Sequence, residues 1–296
     1  MTAATQPVAA PELILVLNCA EGFLQMVIGV SPDAGRQAEQ PPRRLRASVL
    51  QGILCSQEWR LPSQSVELLM PLVTAALNTI HLTPSSIRRI ACVTGPGSFT
   101  GIRLAISTAA GLARATGATT AAIPFLPLLA NNVLQSGIPA QTEAETLWAV
   151  THARRDLVHM QGFTATSPEE ELVPLGEVMV LSPVQAAQLI ASTKKKALLF
   201  GSGATRNRTV FDNALAMLHS RATILPGAFF DTPQSSTLFA AACNARFSTS
   251  DISPHYVRPC DAEESLEHIA ASLGLNPQTA RSALDALQTG GISSAS

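Results

Sequence analysis

Lysine is nearly missing from this chain of 296 residues: it occurs only at Lys194, Lys195 and Lys196, and charged residues of every kind make up 14% of the sequence. The formal net charge is −1. A protein that grips nucleic acid by itself neutralises phosphates with a dense Lys/Arg surface, and the scattered arginines here do not form one. No apolar run reaches the roughly 18 residues that a membrane span requires. The opening "MTAATQPVAAPE" has no basic start followed by an apolar core, so it does not read as a signal peptide. The five cysteines (Cys19, Cys55, Cys92, Cys243, Cys260) are odd in number and contain no CxxC pair. Free buried thiols in a reducing cytosol are the expectation, hence a cytoplasmic protein. The histidines, at 81, 152, 159, 219, 255 and 268, show neither HxxxH nor HExxH spacing. There is no Gly-x-Ser-x-Gly nucleophile elbow and no glycine loop ending in Lys-Ser/Thr.

What is present is an α/β order of elements. "LILVLNCA" (13–20) and "FLQMVIGV" (23–30) read as buried strands joined at Glu21-Gly22 by a tight turn. A polar, proline-containing loop follows, and "ASVLQGILC" (47–55) reads as a third strand. The apolar spacing of "SVELLMPLVTAALNTIHL" (65–82) predicts a helix, with Pro71 inside it expected to kink it or move its start. Next come the strand "RIACVT", a glycine loop and an alanine-rich helix over 99–116. Near Ile123-Pro124 the character changes. "TLWAVTHARRDLVHMQGF" (146–163) reads as two strands around a polar turn, "SPVQAAQLIAS" (182–192) as a helix capped by Ser182, and "KKKALLFGSGA" (194–204) as a strand entering a second glycine turn. "STLFAAACNARF" reads as a helix and "PHYVRP" as strand-like. The layout is a flexible lead (1–12), a first lobe (13–122 plus about 235–262), a second lobe (123–234) and a helical tail (263–296) whose end is expected to be disordered. Two glycine turns, each between a strand and the next element, suggest related halves.

The first glycine loop, Gly95-Pro96-Gly97-Ser98-Phe99-Thr100-Gly101, admits several uses. Glycine permits positive φ and close backbone approach. Ser98 or Thr100 can cap the following helix, and free N–H groups there form an anion site. A structural strand-to-helix turn, a phosphate contact and a protein-binding surface all remain open on the spacing alone.

The literal string "GPGSFTGIRLAISTAAGLA" closely resembles the signature of the TsaB family, relatives of TsaD once filed with the glycoproteases. "LILVLNCAEG" resembles that family's opening strand, "SQSVELLMPLVTAAL" its first long helix, "AVTHARRDLVH" its Asp-Ala-Arg strand and "PHYVR" its closing Pro-x-Tyr-x-Arg segment, so the likeness runs over roughly residues 13–260. The resemblance implies a two-lobed actin/Hsp70-like ATPase superfamily fold, ribonuclease H-like in each lobe, with mixed sheets and flanking helices. It also implies a non-catalytic partner of a TsaD-like subunit, joined by a TsaE-like ATPase, in forming N6-threonylcarbamoyladenosine beside the tRNA anticodon. Contact with tRNA would come only through that complex. No cofactor is expected to be tightly bound, with room for ATP or ADP at the partner junction. Two departures agree with a non-catalytic role. Asn18 stands where the superfamily commonly has an aspartate that organises Mg and phosphate, and His152-Ala153-Arg154 replaces Asp-Ala-Arg.

The same resemblance implies that the two long helices form the partner face, through Val66, Leu69, Met70, Val73 and Leu77 from one and Arg103, Leu104, Thr108 and Leu112 from the other. Their apolar surface exceeds the ~100° stripe that covers a single core, and the isolated chain is expected to pair with itself there. The bland alternative is that both helices are simply interior. Two rival functions stand beside the scaffold: an ATP-dependent phosphotransferase or glycoprotease-type peptidase, and a DNA-binding regulator using the helical spacing of the tail. The tail's second helix offers only Arg281 as a base-reading cation.

Overall fold

The computed structural model describes residues 12–30, 52–60, 65–154, 156–164, 172–255, 257 and five single positions between 270 and 282. It divides into two compact units, Met1–Val257 and Arg258–Ser296. The tail expectations, the loop after 30 and Val66's side chain lie outside the described residues.

In the first unit, β1 (Leu13–Asn18), β2 (Phe23–Val30) and β3 (Ile53–Arg60) form an antiparallel meander. Helix α1 (Ser65–Thr79) leads through a short turn to β4 (Ile87–Gly95), α2 (Phe99–Thr116) and β5 (Thr119–Pro124). β4 lies parallel to β1 and β5 parallel to β4, giving the sheet order β3-β2-β1-β4-β5. Helices α3 (Phe125–Gln135) and α4 (Ile138–Thr142) cross to the second sheet. There β6 (Thr146–Arg154), β7 (Leu157–Thr164) and β8 (Met179–Leu181) form another antiparallel meander. α5 (Pro183–Ser192), β9 (Ala197–Phe200), α6 (Ser202–Arg206), α7 (Arg208–Met217) and β10 (Ala222–Ile224) complete it. β9 is parallel to β6 and β10 to β9, so the order is β10-β9-β6-β7-β8. Renumbered from its own first strand, that is the same wiring as the first sheet. The chain is a doubled ribonuclease H-like plan, the two-lobed actin/Hsp70-like class expected above. α8 (Gly227–Phe230) and α9 (Ser235–Cys243) return the chain to the first lobe.

Period-two alternation in β1 explains the layering. Leu15 and Leu17 face one way, onto Leu69, Val73, Ala76 and Leu77 of α1 and Ala105, Ala109 and Leu112 of α2. Ile14 and Val16 face the other way, into a core shared with Phe125, Leu126 and Leu129 of α3, Leu238 and Phe239 of α9, and Leu147, Phe163 and Phe200 of the second sheet. On that sheet's far side, Trp148, Val150 and Met160 meet Ile190 of α5 and Phe211 and Leu215 of α7. The layers therefore run α, β, α, β, α. β1 is buried on both faces, which is why it reads as an unbroken apolar run rather than an alternation.

Several local expectations are corrected. The third strand runs over 53–60, later than expected. It alternates half-buried and exposed positions, an edge pattern that a search for apolar runs misses. Pro71 lies inside α1 and has not moved its start, which stays at Ser65. Residues 251–255 of the region around "PHYVRP" carry no strand. In α5, Ser182 does cap the helix, in a full capping box with Gln185.

Val73 has no exposed surface. Val73→Glu would thus place a carboxylate in the outer core, not on a partner face. Such a buried, unpaired charge should cost more than about 4 kcal/mol. Chemical denaturation should find the variant unfolded or near its limit. A native-like midpoint would contradict the layering.

Candidate functional site

The glycine loop joins β4 to α2 at the carboxyl ends of the first sheet's parallel strands. Gly95 has φ +107°, and a Cβ there would lie 2.8 Å from Ile102 Cδ1. At Gly97 and Gly101 the constraint is approach: added Cβ atoms would overlap the carbonyl oxygens of Ala20 and Cys19. The Ser98 main-chain N–H donates to the Ala20 carbonyl at 2.5 Å, and Ser98 Oγ accepts from the Gly101 N–H at 3.2 Å as the cap of α2. On the other side, the His255 N–H donates to the Thr94 carbonyl at 2.9 Å. Two N–H groups that an anion cradle would use are thus committed within the chain. The loop pins the start of α2 onto the turn after β1.

The second lobe repeats this device. Gly201 has φ +100°, and a Cβ on it would overlap the Val150 carbonyl; at Gly203 it would lie 2.7 Å from the Thr151 carbonyl. Ser202 Oγ accepts from the His152 N–H at 3.1 Å. The glycine turn after the fourth strand presses on the end of the first strand in each half.

Asn18 is turned inward. Its Nδ2 donates to Gln25 Oε1 at 2.6 Å and its Oδ1 accepts from the Ala20 N–H. Gln25 Nε2 in turn donates to Glu58 Oε2 and to the Pro233 carbonyl, each at 2.9 Å. Both amides are engaged in a chain of hydrogen bonds. A neutral carboxamide already committed in this way is a poor ligand for a divalent cation. Among the described residues, no three His, Cys, Asp or Glu side chains gather as a metal site.

Sequence reasoning missed the most unusual polar group. Glu21, read above only as a turn marker, is 6% exposed. Burial pushes its carboxyl up to about 7, opposed by the Ser202 hydroxyl, by Arg206 and by the His152 N–H, and reinforced by Asp231. Asp231 is itself raised by burial, while Thr205 Oγ1 donates to it at 2.7 Å. Burial, and then Arg206, lower His152. A nucleotide between the lobes would lie at these strand ends, and its phosphates would meet two carboxyls with Arg206 as their cation. The residues present do not fit that group. The signals in the sequence were a carboxylate directly after an apolar strand and the second glycine turn that contains Ser202; nothing marked Arg206 or Asp231.

The expected partner residues separate into two sets. Leu69, Val73, Leu77 and Leu112 point into this chain's own core. Met70 (38%) and Arg103 are exposed, and Leu104 and Thr108 are half-buried. The outward side of α1 carries Met70, Pro71, Thr74, Ala75 and Asn78; that of α2 carries Phe99, Arg103, Ser107, Gly111 and Arg114. Arg103 stacks 3.8 Å above the centre of the half-exposed Phe99 ring. A groove of about 520 Å³ runs beside the C-terminal half of α2, lined by Ala110, Ala113, Thr120 and Ile252 among others. Among the described cysteines, Cys19, Cys55 and Cys92 are free thiols, and burial pushes Cys19 up to about 12. No helix among the described residues is long and apolar enough to cross a membrane.

Residues 62–179 match the family model for TsaD, tRNA N6-adenosine threonylcarbamoyltransferase. Two solved structures from Pseudomonas aeruginosa are similar to the chain. One is an uncharacterized protein with similarity to the peptidase YeaZ (21% identity, TM-score 0.60), the other YeaZ itself (21%, TM-score 0.57). In each case the match covers 83% of this chain and 100% of the other, and it speaks for the fold. No curated protein sequence matches. The match over residues 62–179 agrees with the kinship read from the glycine string.

Asn18→Asp removes the donor to Gln25 and sets two acceptors face to face. It should cost about 1–3 kcal/mol and create no ATP-dependent phosphoryl transfer. Thermal melts and a phosphate-release assay check both points, and gain of turnover would overturn this description of the strand end.

Proposed function

We propose that this chain is a TsaB-like, non-catalytic scaffold that seats a TsaD-like catalytic subunit in forming N6-threonylcarbamoyladenosine in tRNA. The observation that carries the reading is the outward face of α1 and α2, both within the segment that matches the TsaD family model. Ala75, Thr74, Ser107 and Gly111 make the middle of that face small-featured, so a partner helix can approach closely, with Glu67 exposed at its N-terminal end. Met70 supplies an adaptable apolar contact. Arg103, braced on Phe99, offers a guanidinium at the rim whose orientation is already restricted.

The interior half of each helix is anchored in the outer core, so the face is presented on a rigid support. That rigidity lowers the ordering cost of association. The strand-end chemistry supports the same reading from the other direction. Asn18 is committed to Gln25, and carboxyls stand where phosphates would need positive charge. A TsaE-like ATPase and tRNA join through the catalytic subunit, and the chain acts in the cytoplasm. Where no partner is present, two copies cover each other through the same face.

Ser107→Arg and Met70→Asp test this placement, because both sites are exposed and neither touches the core. Each should leave the melting temperature within a few degrees of the parent. Each should also lower recovery of the TsaD-like chain in a pull-down by at least tenfold, a loss of about 1.4 kcal/mol or more. Full recovery with both variants would place the partner elsewhere.

A further inference from the structure

Glu21 is the point at which the first lobe's polar chemistry enters the second lobe. It closes the turn after β1, beside the Ala20 carbonyl that the glycine loop holds. Its carboxyl is nine-tenths buried, and Oε1 has no hydrogen-bond partner among the described residues. Four second-lobe groups surround it: the Ser202 hydroxyl and the Arg206 guanidinium from α6, the His152 main-chain N–H at the end of β6, and the Asp231 carboxyl just past α8. His152 Nδ1 is likewise buried without a partner. Asp231 is also influenced by Arg60 of β3, so the first lobe reaches the cluster from two elements. The apolar layer around α3 and α9 packs between the sheets beside this cluster, and its buried residues include no titratable group.

We propose that Glu21 is a proton-operated clasp between the two lobes, a first-lobe carboxyl seated against α6 and β6 that holds the cleft shut when protonated and releases it when ionised. The Ser202 hydroxyl and the His152 N–H favour the ionised carboxylate, but burial against the second lobe outweighs them and keeps the carboxyl neutral while it is seated there. An ionised carboxylate in the same place carries a charge that Arg206 only partly offsets, because Asp231 opposes it and burial disfavours the charged form of His152. Opening the lobes returns that charge to water.

The direction of the pH effect follows. With the clasp closed, the carboxyl keeps its proton up to about 7, against an ordinary value of 4.5. The closed state therefore binds more protons than the open one between those values. Closure is favoured at the acid end, weakens as pH rises through this window, and has lost the contribution above about 7. Between pH 6 and 8.5 the closed-to-open ratio should fall about tenfold. This inference concerns the isolated chain and does not depend on which partner covers α1 and α2.

The test is amide hydrogen exchange on the full chain at residues 19–22 and 201–206, from pH 6 to 8.5, corrected for the intrinsic rate. Protection in the parent should drop about tenfold across that range. Glu21→Gln, neutral at every pH, should show a flat profile, and Ser202→Ala should exchange faster than the parent at pH 6. A Glu21→Gln profile that falls in parallel with the parent would overturn the clasp. Carbon-13 titration of the Glu21 carboxyl in the unmodified protein is independent of any variant's folding. A midpoint near 7 supports the proposal, and one near 4.5 refutes it.

Discussion

Everything in this molecule hangs on the closeness of a glycine turn to the end of a central strand, made twice. Gly97 and Gly101 lie so near the Ala20 and Cys19 carbonyls that no side chain fits, and Gly201 and Gly203 stand in the same relation to Val150 and Thr151. That approach sets where α2 and α6 begin. It also decides where the two lobes can meet, because the turn after β1 projects toward the start of α6. Glycine makes the approach possible, and the hydrogen bonds from Ser98 to Ala20 and from His152 to Ser202 fix it.

The strand ends that a two-lobed fold of this class offers to a ligand are here occupied by the chain's own groups. Asn18, Gln25, Glu58 and the Pro233 carbonyl form a closed chain of donors and acceptors. Glu21 and Asp231 put carboxyls at the junction, and their raised values report how far that junction is withdrawn from water. The rigid platform for the proposed partner surface is the outer core, where α1 and α2 bury one side against β1 and β2 and turn Met70, Phe99 and Arg103 outward among small residues.

The sequence disclosed the fold where a side-chain pattern has one structural meaning. β1 and β2 are apolar on both faces, α5 opens on a Ser182 capping box, and the turn between β6 and β7 is polar; all were legible. β3 was not, since an edge strand with residues such as Ser56, Gln57 and Glu58 looks like a loop until its partner is known. On α1 the periodicity identified one stripe, but the burial of Leu69, Val73 and Leu77 gives it to this chain's core. Which side of an amphipathic helix faces its own sheet depends on the sheet, and single-sequence spacing cannot say. Glu21 was hidden for the same reason: its surroundings come from residues some 130 to 210 positions away along the chain.

The most direct measurement is formation of N6-threonylcarbamoyladenosine on tRNA by purified TsaD-like and TsaE-like proteins, with and without this chain. The scaffold account predicts little product without the chain, restoration when the parent protein is added, no restoration by Ser107→Arg, and no product from the chain alone. Equal product with and without it, or turnover by the chain by itself, would contradict the account.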